Sequence, residues 1–239
     1  MKIPVEETNK KRLYRSLVNI RPPECISNQY LQEEALYLEE EMNRKTITDI
    51  NELFPIQESI YLWRGDIATL RVDAIVNAAN SQLLGCFIPE HHCIDNVIHS
   101  AAGVALRLEC KEIMAKQNHP EKTGLAKITK AYALPSKYVI HTVGPIITKA
   151  VTEKDRSLLA SSYRNSLILA DKYGLESIAF CCISTGLFRF PKEEAAKIAI
   201  AAVYNYLQKT NSSIKVLFNV FTEKDYEIYK RLLSSDSEC

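Results

Sequence analysis

The chain has 239 residues, a formal net charge of +1, and apolar and charged shares of 46% and 25%, the balance of an ordinary globular protein with one sizeable core. Near-neutral charge without a concentrated basic face argues against nucleic-acid or membrane-surface binding, and the short group Lys10, Lys11, Arg12 and Arg15 reads as a solvated helix face. No apolar stretch is long enough to span a bilayer, residues 1–7 carry no secretion-signal core, and seven cysteines is an odd count, so we expect a cytosolic protein with free or metal-bound thiols.

Residues 1–57 are rich in Glu, Lys, Leu and Tyr, contain no glycine and are broken by Pro22 and Pro23. A helical run is predicted over 27–44, with Leu31, Ala35, Leu36 and Leu38 as its apolar stripe. We read this part as a helical extension packed on the main domain, residues 58–239, because short helices need tertiary packing. Beyond it, strands are predicted at 59–62, 74–77, 126–133, 138–142, 177–183 and 214–221. Helices are predicted near 95–115, 155–173, 192–209 and 223–233. Several strands are continuously apolar, which calls for helices on both sheet faces: a three-layer α/β/α sandwich with ligand loops at the carboxyl ends of its strands.

The segment 85–96, Gly-Cys-Phe-Ile-Pro-Glu-His-His-Cys-Ile-Asp-Asn, packs two thiols, two imidazoles and a carboxylate into twelve residues. Thiolate with imidazole suits zinc, and three protein ligands leave a tetrahedral ion one open position. Residues two apart in extended chain project the same way, so His91 converges with Cys93 more easily than His92 does. The expected ligand set is Cys86, His91 and Cys93; the alternative is small buried thiols beside ordinary loop histidines. Cys181 and Cys182 lie in an apolar strand, and Cys25, Cys110 and Cys239 have no partners in sequence that suggest a site.

Upstream of that segment lie Gly65-Asp66-Ile67 and the run 72–80, VDAIVNAAN; downstream lies 94–103, IDNVIHSAAG. These runs resemble the macrodomains, ADP-ribose-binding modules, over about residues 60–235, and within them the branch that removes mono-ADP-ribose from proteins. Where the ordinary hydrolase branch has a run of glycines before its catalytic Asp, this chain has the run 85–93 with Cys86, His91 and Cys93, a substitution that resembles the zinc-dependent macrodomains often found alongside sirtuin-type ADP-ribosyltransferases in microbes.

The resemblance implies a macrodomain sandwich with a mixed central sheet. It makes Asp66, with Ile67, the adenine contact, Phe221 the adenine-stacking aromatic, and Ser184, Thr185, Gly186, Leu187 and Phe188 the second phosphate loop, with Arg189 standing where many macrodomains have another glycine. Asn77 and Asn80 end the strand at the distal ribose. The residue-level alternatives are turn-capping for Asp66, Asn77 and Asn80 and a core role for Phe221. Asp95 matches the catalytic Asp and is the candidate general base, with Asn80 beside it; His99, four residues on, reads as a core histidine. Two thiolates neutralise zinc's formal charge, which favours its orienting and polarising the sugar over its acidifying water. The expected activity is release of mono-ADP-ribose from a protein substrate, probed against two alternatives: a non-catalytic ADP-ribose reader, and hydrolysis of a small derivative such as O-acetyl-ADP-ribose.

Overall fold

Residues 3–235 are described by the computed structural model. Two helices, α1 (Glu7–Ile20) and α2 (Asn28–Asn43), precede the first strands. A two-residue strand, β1 (Thr48–Asp49), pairs in parallel with β3 (Leu70–Arg71). The main sheet has the order β2 (Ile60–Arg64), β8 (Lys215–Val220), β7 (Ser177–Phe180), β4 (Ala74–Ala78), β6 (Tyr138–Thr142), β5 (Ala126–Lys130). All its pairs are parallel except β5 with β6, so the expected mixed sheet is present.

Helices α3 (Ile94–Ala102) and α4 (Val104–Gln117) pack together against β4 and β5; α5 (Glu153–Lys172), α6 (Lys192–Thr210) and α7 (Glu223–Ser235) form the other layer. Ile75, Val76, Ile178, Ala179, Val216 and Leu217 are wholly buried, as the continuously apolar strands require. No helix among the described residues is long and apolar enough to cross a membrane.

The structure corrects several expectations. The helix predicted over 95–115 is two helices, split at Gly103, whose φ of +89° is open to glycine and where a side chain would collide with Glu34 and Leu38. Residues Lys10 to Arg15 do lie on a helix, α1, but that face is solvated only in part: Lys10 and Arg12 are exposed and Arg15 is half-buried. The buried face of α2 is Glu34, Leu38 and Met42, not the stripe through Ala35 and Leu36; Leu36 is 68% exposed. Glu34 tolerates burial because it accepts from Tyr14 Oη (2.8 Å), Tyr30 Oη (3.3 Å) and the Val104 N–H (2.8 Å), the last capping α4 where Gly103 has no side chain to do so. The strand predicted to run through Ala133 stops at Lys130, before Tyr132 turns into the left-handed region.

Candidate active site

Strands β2, β8, β7 and β4 are adjacent and parallel, so the segments leaving their carboxyl ends converge on one rim. That rim carries Asp66 after β2, Phe221 after β8, residues 181–190 after β7, and Asn80 followed by the Cys/His segment after β4.

After β4, Asn77 is fully buried and its Nδ2 donates to Asp95 Oδ1 (2.8 Å) and faces His141 Nδ1 (3.2 Å). Both are acceptors for one amide, which orients Asn77 and places the ring proton of His141 on Nε2, towards Thr129 Oγ1 at 3.0 Å. Burial pushes the His141 pKa down to about 3, so the ring is neutral. Asn77 therefore lies beneath the rim, holding Asp95. Asn80 is half-buried; its Nδ2 donates to Gly85 O (3.1 Å) and Asp95 Oδ2 (3.3 Å).

Asp95 sits in the first turn of α3, 5% exposed. Burial raises its pKa to about 6, opposed by the Asn77 hydrogen bond and the Arg107 charge. His99 Nε2 is 3.5 Å from Asp95 Oδ1, but burial holds the ring neutral and both its nitrogens lack hydrogen-bond partners, so this is a contact and not an ion pair. The i, i+4 spacing signalled that proximity. Arg107, which the sequence reading missed, donates from Nη1 to Val18 O (2.7 Å) and Arg21 O (2.6 Å) and lies 4.5 Å over the Phe87 ring.

Cys86, His91 and Cys93 come together: their donor atoms all lie within 4.8 Å of one another, with Cys86 Sγ 3.6 Å from His91 Nδ1, whereas His92 is exposed. Cys93 is the N-cap of α3, where the helix dipole favours a thiolate. Burial, then the adjoining Cys86 thiol, pushes Cys93 up to about 12 against the Asn96 N–H; a cation is the partner that reverses this. The donor set fits zinc, with three protein ligands from one short loop. His99, Cys110 and His141 form a second tight donor group, but His141 is committed to Asn77 and Thr129.

In the loop after β7, Ser184 and Arg189 have φ of +65° and +59°. Arg189 thus adopts the conformation a glycine would take there. Ser184 Oγ is buried without a hydrogen-bond partner, while Gly186 and Leu187 are exposed and Phe188 half-buried. Thr185 Oγ1 donates to Cys182 O (2.9 Å). Asp66 caps a short 3-10 turn, Ile67–Thr69, by accepting from the Ala68 N–H (3.0 Å), and its Oδ2 lies 3.7 Å from Lys45 Nζ. The Ile67 side chain is buried, which limits any ligand contact at this position to its backbone. Phe221 is 76% exposed, outside the core.

The sequence profile described as "Macro domain" matches residues 76–199, from β4 into α6. The chain belongs to the macro domain family. A Treponema medium relative named protein-ADP-ribose hydrolase is 52% identical over 98% of this chain and 91% of its own length. A Staphylococcus aureus (strain MSSA476) protein of the same name is 51% identical over 95% of this chain and 85% of its own. Among solved structures, the Trypanosoma brucei macrodomain in complex with ADP-ribose superposes with a TM-score of 0.72 at 30% identity, covering 91% of this chain and 94% of that one.

Proposed function

We propose that this macrodomain hydrolyses the bond joining ADP-ribose to a modified protein side chain, as a zinc-dependent enzyme with Asp95 as general base. One observation carries the reading: a single connection, from β4 to α3, brings the Cys86, His91 and Cys93 donors and the amide-held Asp95 carboxylate to the rim where β2, β8, β7 and β4 end. The relatives' name supports the reaction class, and the ADP-ribose complex of the T. brucei protein supports the ligand.

In this reading Asp66 accepts from the adenine amino group and Phe221 stacks on the base; the exposure of the Phe221 ring supports the second role. The loop 184–188, with Ser184 Oγ lacking a partner, lines the diphosphate path. Asn80 orients the distal ribose and Asp95 together. Asp95 Oδ1 is taken by Asn77 at 2.8 Å; Oδ2 has only the longer contact from Asn80, which makes it the oxygen to receive a proton from attacking water. The water's oxygen joins the ADP-ribosyl group, the ester bond breaks, and the side chain departs as a carboxylate. Zinc held by Cys86, His91 and Cys93 would supply Lewis-acid polarisation and fix the sugar. An acidic side chain is the favoured attachment point, because a carboxylate leaves with less acid assistance than an arginine nitrogen. The six described cysteines are unpaired, in keeping with a reducing cytosolic setting.

Zinc analysis of the purified protein, with ADP-ribose release measured before and after chelation, tests this. Chelation should abolish release. Asp95→Ala should retain zinc and ADP-ribose affinity while release falls by a factor of roughly 10²–10⁴. A zinc-replete protein that binds ADP-ribose and frees none would be a reader, and release from O-acetyl-ADP-ribose alone would move the substrate class.

A further inference from the structure

Helix α1 lies more than 70 positions away in the chain from the loop it touches. Glu90, immediately before His91, has a φ of +54°, a left-handed conformation uncommon for a residue with a side chain. Every polar contact the structure gives Glu90 leads to α1. Its N–H donates to Asn19 Oδ1 (3.0 Å), Oε1 accepts from Ser16 Oγ (3.1 Å), and Oε2 accepts from Arg12 Nη2 (2.9 Å) and Nε (3.3 Å). One residue on, His91 O accepts from Arg15 Nη2 (2.9 Å), which also donates to Asn96 Oδ1 (3.1 Å). Asn96 in turn donates to Ile88 O (2.9 Å) and Cys86 O (3.4 Å). Asn19 and Asn96 are buried, so the loop backbone is held between two enclosed amides. At the far end of α1, Arg107 binds the Val18 and Arg21 carbonyls and stacks on Phe87 of the same loop.

We propose that α1 is a splint for the ligand loop, its residues Arg12, Arg15, Ser16 and Asn19 holding Glu90 and the His91 carbonyl so that Cys86, His91 and Cys93 converge before any cation arrives. This rests on the zinc reading above and extends it to residues far from the donors. The left-handed turn at Glu90 decides which imidazole faces the thiols: His91 is half-buried beside Cys86 and His92 is exposed. A site drawing all its ligands from one short loop loses affinity when that loop must first be ordered, so contacts made ahead of binding strengthen it. These are positioning residues, acting through Glu90 and His91.

The test uses the full chain, the double variant Arg12→Ala/Ser16→Ala, the single variant Asn19→Ala and, as a control on the same helix, Lys10→Ala. Arg12 has a side chain 65% exposed, so the double variant keeps a folded protein if buried Asn19→Ala does not. Two quantities are read: the zinc dissociation constant by competition with a chromophoric chelator, and hydrogen exchange of residues 86–93 in metal-free protein. The splint predicts roughly tenfold or greater weakening of zinc and faster loop exchange in the double variant, with a small change in urea midpoint and none of these effects from Lys10→Ala. Unchanged zinc affinity in the double variant overturns the proposal, as does unchanged loop exchange. Wild-type protein that binds no zinc would instead remove the metal reading, and loop exchange would still decide whether α1 orders the segment.

Discussion

Gly85 joins the rim at the carboxyl end of β4 to the loop 86–93, and its replacement by alanine has a calculable cost. Its φ is +80°, and a Cβ there falls 2.8 Å from His99 Cγ and 3.0 Å from Cδ2 and Nδ1. His99 is 4% exposed on α3 and has little room to retreat. The left-handed backbone costs about 1–2 kcal/mol for a residue with a side chain. Overpacking against the ring adds about 1–3 kcal/mol, so Gly85→Ala should lose about 2–5 kcal/mol. Urea unfolding followed through Trp63, the single tryptophan, with chelator held constant, measures this as a lower midpoint at unchanged slope. The clash and backbone contributions separate in a double-mutant cycle. His99→Ala removes the ring, so the pair Gly85→Ala/His99→Ala should cost about 1–3 kcal/mol less than the sum of the single changes. Additivity within about 0.5 kcal/mol would refute the clash, and a Gly85→Ala protein of wild-type stability would refute both contributions.

Asp66→Asn keeps an acceptor for the Ala68 N–H but turns an amide NH₂ towards the adenine amino group; calorimetry should show ADP-ribose bound about 1–3 kcal/mol more weakly, and unchanged affinity would remove Asp66 from the adenine site. At Gly186 a Cβ would meet no protein atom within 4 Å, so Gly186→Val should melt as the wild type does yet bind ADP-ribose poorly, because the branched side chain blocks the diphosphate's approach. Wild-type binding would take the diphosphate away from this loop. His141 ties pH to stability. Its pKa is about 3 when folded against 6.5 for a free imidazole, so below pH 6.5 the unfolded chain takes up a proton that the folded ring refuses. The stability contributed by neutral His141 is present above pH 6.5 and declines as pH falls towards 3; NMR should show its ring untitrated through pH 5, and a midpoint near 6 would contradict the burial argument.

Local signals made the sheet readable. Ala74–Ala78 and Ser177–Phe180 are almost wholly apolar and could lie only between helix layers, and the two-residue step from His91 to Cys93 anticipated their convergence. The unreadable parts are settled by residues distant in sequence. Glu34 fell outside the apolar stripe read for α2, because its three donors lie on other turns and other helices. Gly103 breaks a helix that composition would continue, since Glu34 and Leu38 occupy the space beside it. Asn77 reads as a ribose contact in its motif, yet the His141 ring on the neighbouring strand turns its amide inward to Asp95. Arg107 carries no motif at all; its role exists only once α1 docks its carbonyls against it.

The cap that Glu34 places on α4 bears on how the protein can be shortened. The family match begins at Val76, inside β4, and ends at Ala199, inside α6, so a fragment cut at those bounds would lack β2 and β8 and end its sheet at β7. Starting instead just before β2 restores the sheet but removes α2, leaving the Val104 N–H uncapped and the pocket beside Gly103 empty of Glu34 and Leu38. A fragment that keeps this cap and fills the space beside Gly103 therefore starts upstream of α2.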